Sequence, residues 1–251
     1  MPVWIEAALW GLLGGSALVI GAALAWFLDL PKRVTAGIMA FGCGVLISAV
    51  AYDLLLEGHE KGGLLPVVTG SLAGAFAYSG ANWLLARQGA RHRKRSGDQQ
   101  AGSGEGGATA IAVGSLLDGI PESIVLGVGL LDGGGISRAM LVAIFLSNLP
   151  EGLSSAAGMK KAGRSKAYVF GLWGGIALLS GAASMAGAAL LGGASPVTLA
   201  LVNAIAAGAL LTMIADTMIP EAVEVDGGAT GVMVVAGLLV AFSLSRGGLA
   251  G

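Results

Sequence analysis

Charge is scarce in this chain: Asp, Glu, Lys and Arg make up 12% of its 251 residues, about half the share of a soluble domain. A soluble fold of that length needs a charged shell, and the residues to build one are missing. The formal net charge of −1 excludes nucleic acid and any other bulk electrostatic partner. One cysteine, Cys43, excludes an intrachain disulfide and a thiolate metal cluster together. Aromatic residues amount to 6%, too few for an aromatic-lined pocket of the kind organic solutes prefer. No HExxH pattern occurs, and the serines of residues 152–156 (GLSSA) have no histidine in any apolar segment to serve as base. The chain therefore does not read as an enzyme.

What remains is apolar. Hydrophobic residues reach 55%, mean hydropathy is +0.82, and 44 glycines offer the small contacts through which membrane helices approach one another. Each crossing of a bilayer takes about 20 apolar residues. Eight such runs occur, at 3–28, 34–56, 64–86, 108–131, 136–159, 167–191, 196–218 and 228–245. The expected fold is all-α, a multi-pass membrane protein of eight transmembrane helices. The first run is expected to stay in the mature chain, because Glu6 stands where a signal peptide would carry basic residues. Trp4 and Trp83 suit anchoring at the interface.

Lysine and arginine collect in cytoplasmic loops. With the N-terminus outside, eleven of the fourteen fall inside: Lys32, Arg33, Arg87, Arg91, Arg93, Lys94, Arg95, Lys160, Lys161, Arg164 and Lys166. Lys61, Arg138 and Arg246 fall outside, and both termini are external. Residues 87–107, basic and then Gly/Ser-rich, read as a flexible cytoplasmic loop in which His92 is solvated. The organisation is 1–86 (three helices), the loop 87–107, 108–159 (two helices) and 160–251 (three helices). A multi-pass protein of a prokaryotic inner or plasma membrane is the expected location.

An internal repeat joins the two ends of the chain. GVLISAVAYDLLLEGHEKGG from Gly44 aligns with GALLTMIADTMIPEAVEVDG from Gly208. The constant offset pairs Leu46 with Leu210, Ala51 with Ala215, Glu57 with Glu221 and Glu60 with Glu224. The copies lie in an even and an odd span, so they cross the membrane in opposite directions. Inverted repeats of this kind mark secondary transporters, whose substrate site lies near the midplane between the halves. The expected arrangement is 3+2+3.

The middle pair of spans carries a second repeat, Leu117-Asp118-Gly119-Ile120-Pro121-Glu122-Ser123 and Leu146-Ser147-Asn148-Leu149-Pro150-Glu151-Gly152. A carboxylate at membrane depth is costly and must face a partner or a wet cavity. Asp118 and Glu122 are four apart and Asn148 and Glu151 three apart, so each pair shares a helical face. Each proline withholds an N–H and so frees the carbonyl of Leu117 or Leu146. Freed carbonyls survive at this depth where they line a cavity or meet an ion. Oxygen donors of this sort suit hard or borderline divalent cations. The bland alternative is that the prolines only kink the helices and each glutamate bonds a nearby Ser or Asn.

The GIPES and NLPEG elements resemble the fourth- and fifth-helix signatures of the ZIP (Zrt/Irt-like) metal transporters, which typically read His-Asn-x-Pro-Glu-Gly. The resemblance runs along the whole chain, through span number, external termini, the loop after the third helix and the inverted triplets. It implies a metal site at Asp118, Glu122, Ser147, Asn148 and Glu151, with the two glutamates bridging. Asp118 and Ser147 stand where that family usually has histidines, and Gly119 where it has asparagine. Without imidazole the site is nearly all oxygen, which favours manganese or iron over zinc.

The resemblance further implies that Asp53 and Glu57 of the second span and Asp216 and Glu221 of the seventh line the entrance and exit of the path. His59, Glu60 and Glu224, at the span ends, read as solvated, and Met39, Cys43 and Met213 as packing residues. The expected cargo is a divalent ion (zinc, manganese, iron or cadmium), with no cofactor. The expected partners are those ions and the lipid bilayer; a homodimer stays open. The rival readings are a proton-coupled carrier of a small organic solute and a degenerate metal-binding homologue.

Overall fold

The structure is a computed structural model that describes residues 1–28, 30–85, 87, 105–131 and 138–245. His92 and most of the expected loop 87–107 lie outside the described residues. Among the described residues every regular element is helical. The helices are α1 (Val3–Phe27), α2 (Lys32–Gly62), α3 (Leu64–Leu85), α4 (Glu105–Gly129), α5 (Arg138–Lys161), α6 (Lys166–Leu191), α7 (Pro196–Asp226) and α8 (Thr230–Ser245). Six of them, α1, α2, α3, α5, α6 and α7, are long and apolar enough to cross a membrane; α8 is apolar but shorter. This is the architecture of an all-α membrane protein, in which each backbone N–H finds its carbonyl within its own helix.

Local chemistry sets the breaks. Pro31 precedes the first turn of α2, and Ser165 and Ser195 cap α6 and α7 by accepting the N–H of Tyr168 and Thr198, each at 3.2 Å. Gly63 (φ +83°) and Gly163 (φ +75°) reverse the chain between α2 and α3 and between α5 and α6, in a conformation that L side chains resist.

Two helices run further than the apolar runs alone suggest. α2 continues past residue 56 to Gly62 and α7 past residue 218 to Asp226. The charged outer turns of α2 stay helical through Gly58 and Gly62, and the helix stops only at Gly63, whose φ is positive. Both helices also widen into a π-helical stretch, Val50–Leu56 in α2 and Ile214–Met218 in α7. In α7, Pro220 has no N–H to give the carbonyl of Asp216, and the ladder opens just there. α2 has Leu56 at the matching position, so proline is not the feature they share.

Stretches of α3 and α6 turn small side chains inward and large ones outward, with Tyr78 and Trp173 as buried exceptions. On α3 the buried positions are Gly70, Gly74, Tyr78 and Leu85, the first three one turn apart, while Leu65 and Phe76 are each 74% exposed. α6 repeats the pattern, with Gly181, Ser184 and Gly187 inside and Leu178 and Leu190 outside. A surface of that kind would aggregate in water and is at home in lipid.

Among the glycines that let backbones touch, four fall into matching pairs. Gly44 of α2 leaves no room for a Cβ against the carbonyl of Val234 in α8, and Gly208 of α7 none against that of Ser71 in α3. Gly74 of α3 abuts the carbonyl of Ile205 in α7, and Gly237 of α8 that of Phe41 in α2. Phe41 and Gly44 map onto Ile205 and Gly208 at the 164-residue offset of the sequence repeat, and Ser71 and Gly74 onto Val234 and Gly237 at 163. The α2–α8 and α3–α7 contacts therefore use matching positions. At the centre, α2, α4, α5 and α7 bury the largest apolar cluster, which includes Met39, Cys43 and Met213.

Candidate metal centre

α4 packs on α6 and α7, α5 packs on α1 and α2, and the two meet only briefly. Where they meet, the polar side chains of both Pro-Glu segments are turned inward. Asp118 and Glu122 are each 2% exposed, Ser147 2%, Asn148 4% and Glu151 6%. Ser115, Ser123, Ser154 and Ser155 are buried with them. No Lys, Arg or His stands between Gly114 and Leu131 or between Met140 and Met159. Carboxylates shut away in that company are stable only with protons, hydrogen bonds or a cation as counter-charge.

Ser147 joins the motifs directly. Ser147 Oγ of α5 lies 3.0 Å from Glu122 Oε1 of α4 and 2.9 Å from the carbonyl of Ile144 in its own helix, so its one hydroxyl hydrogen is shared between two acceptors, one on each helix. Asp118 is engaged from another direction: the hydroxyl of Tyr78, a buried residue of α3, donates to its Oδ1 at 2.5 Å. Asn148 turns toward α1, its Nδ2 donating to the carbonyl of Gly14 at 3.2 Å. Ser123 Oγ donates to Gly119 O at 2.7 Å, inside the turn that Pro121 disturbs.

The five residues thus occupy one buried layer without all pointing to one spot. Glu122 and Ser147 come together, Glu151 is buried one turn beyond Ser147, and Asp118 and Asn148 hold neighbouring helices. Among the described residues no group of three or more His, Cys, Asp and Glu side chains is gathered to hold a metal by itself. Hydroxyl, amide and carbonyl oxygens would have to complete any shell. The freed carbonyl of Leu146 has Gly42 of α2 against it, where a Cβ would stand 2.8 Å from the oxygen.

The expected path residues separate by burial. Glu221 is buried at 9%. Asp53 is half-buried within the wide turn of α2, and Asp216 is exposed within that of α7. Glu57 pairs with Lys61 at 2.5 Å on the outside of α2. His59, Glu60 and Glu224 are exposed. Sequence reasoning passed over Tyr78. The signal was a lone tyrosine among the small residues of GAFAYSGAN, since a buried phenol nearly always has a hydrogen-bond partner.

Compared with known proteins, the chain matches no family model and no curated protein.

Proposed function

We propose that the chain is a secondary transporter of the ZIP type that carries divalent metal cations toward the cytoplasm. The observation that carries this reading is the meeting of the Pro-Glu motifs, with Glu122 of α4 bridged to α5 by Ser147 and Glu151 buried one turn away. Two carboxylates and several neutral oxygens, on helix segments 114–131 and 140–159 that carry no basic residue, suit a hard dication as counter-charge.

The eight helices would all cross the membrane, with both termini outside and the lysine-rich ends inside. The 3+2+3 inverted repeat is supported by helix bounds that match at one offset, 32 to 62 in α2 and 196 to 226 in α7, and by the four matched glycine contacts. Exchanging the halves also exchanges the packing of α5 on α1 and α2 for that of α4 on α6 and α7. The ion would enter from outside, lose part of its water and bind between α4 and α5. It would leave inward as the α1/α4/α5/α6 group rocks against α2/α3/α7/α8.

The test is uptake of manganese, iron, zinc and cadmium into proteoliposomes, with Glu122→Ala, Glu151→Ala as control. Uptake that vanishes in the double variant identifies carrier and cargo together. Failure of every metal with well-folded wild type would end this reading in favour of an organic-solute carrier or a degenerate metal-binding homologue.

A further inference from the structure

A cleft of about 470 Å3 opens at the end of the bundle where the chain leaves α1 and enters α2. Its floor includes the buried Ala25, Thr35 and Leu153. Three exposed lysines stand on its rim, Lys32 in the first turn of α2 and Lys160 and Lys161 in the last turn of α5. Lys160 is steadied there by donating from Nζ to the carbonyl of Trp26 at 2.9 Å.

A collar of aromatic and cationic groups surrounds the same end. Trp26 and Phe170 meet edge to face, centroids 6.4 Å apart, Lys166 Nζ stands 4.5 Å from the ring of Phe27, and the Arg164 guanidinium 5.2 Å from that of Tyr168. Such belts lie at headgroup depth in membrane proteins. The two segments that meet there, 25–35 and 157–168, carry six cations and a single acid, Asp29.

An apolar floor beneath a lysine rim at that depth matches a molecule with an anionic head and an acyl tail. We propose that the cleft binds an anionic phospholipid, its phosphate among Lys32, Lys160 and Lys161 and the top of one chain against Ala25 and Leu153. The lysines repel a dication, so this site is separate from the carboxylate layer and does not depend on the transport reading. Inorganic phosphate shares the anion but cannot use the floor.

The experiment is thermal unfolding and native mass spectrometry of the full chain in detergent, with phosphatidylglycerol, phosphatidylcholine or inorganic phosphate added. Phosphatidylglycerol alone is expected to raise the Tm and stay bound. Neutralising the rim (Lys32→Gln, Lys160→Gln, Lys161→Gln) is expected to weaken that binding roughly a hundredfold. Lys61→Gln, at the far end of α2, should leave it unchanged. The three lysines are exposed, so the variant is expected to fold; a Lys→Arg version at the same positions keeps the charge and should keep the lipid. Equal binding in the Gln variant, loss in the Arg version, or equal stabilisation by phosphate alone would each overturn the proposal.

Discussion

α4 and α5 share the step Pro-Glu, yet the polar groups around it play different parts. In α4 the two buried carboxylates accept: Asp118 takes the hydroxyl of Tyr78, and Glu122 faces that of Ser147. In α5 Ser147 donates toward Glu122 and Asn148 to the carbonyl of Gly14, beside a single buried carboxylate, Glu151. α4 brings two carboxylates and α5 one, and α5 adds the donors that reach α4 and α1. A motif repeated in sequence repeats a kink and a depth; the neighbouring helices decide what the residue does there.

The contrast is open to direct attack. The largest effect is expected from Glu122→Gln, which keeps the shape but removes the charge at the point where the helices meet. Metal uptake should fall by more than about a hundredfold, beyond the 10–100-fold that outer partners of a ligand command. The metal-free protein should meanwhile unfold at about the same midpoint, since the amide keeps the shape and still offers an oxygen to Ser147. Glu151→Gln should lose uptake too; if only one of the glutamates matters, the bridged site is the wrong picture.

Acidity comes next. Ligands must shed protons to bind a metal, so uptake at subsaturating ion should drop as pH is lowered from about 7 into the ordinary carboxylate range at about 4. Uptake that holds level through that range, with the protein still folded, would count against carboxylate ligation in either helix.

Tyr78→Phe sharpens the picture of α4. It removes the donor to Asp118 while leaving the ring in place, and a tenfold or so weakening of metal binding by titration is expected. An unchanged affinity would make that hydrogen bond purely structural. The smallest effect belongs to α5: Asn148→Ala should cost about 1 kcal/mol of stability through the lost tie to α1, read as a lower unfolding midpoint. A collapse of uptake without loss of stability would instead move Asn148 into the ion's shell.

The sequence revealed what lies along one strand of chain. Apolar runs announce spans because the bilayer fixes their length, and Pro121-Glu122 and Pro150-Glu151 stand out because neither residue is at ease inside an apolar helix. The repeat beginning at Gly44 and Gly208 was legible as spacing, and the same glycines are where backbones touch. What the residues meet across helices was not legible. Nothing near Asp118 in sequence points forty positions back to Tyr78, and nothing near Asn148 points to Gly14. The ends of α2 and α7 were also misjudged, since hydropathy marks where lipid stops and not where a hydrogen-bond ladder stops.

The two wide turns carry a mechanical consequence. A π turn holds one residue more than the α-helical turn it replaces, so it is slack wound into an otherwise stiff rod. Taking up that slack turns everything beyond it by about 100°, the angular step of one helical residue. Asp53 and Asp216 sit inside the slack, at the places where α2 and α7 can re-aim a carboxylate while the rest of each rod stays intact.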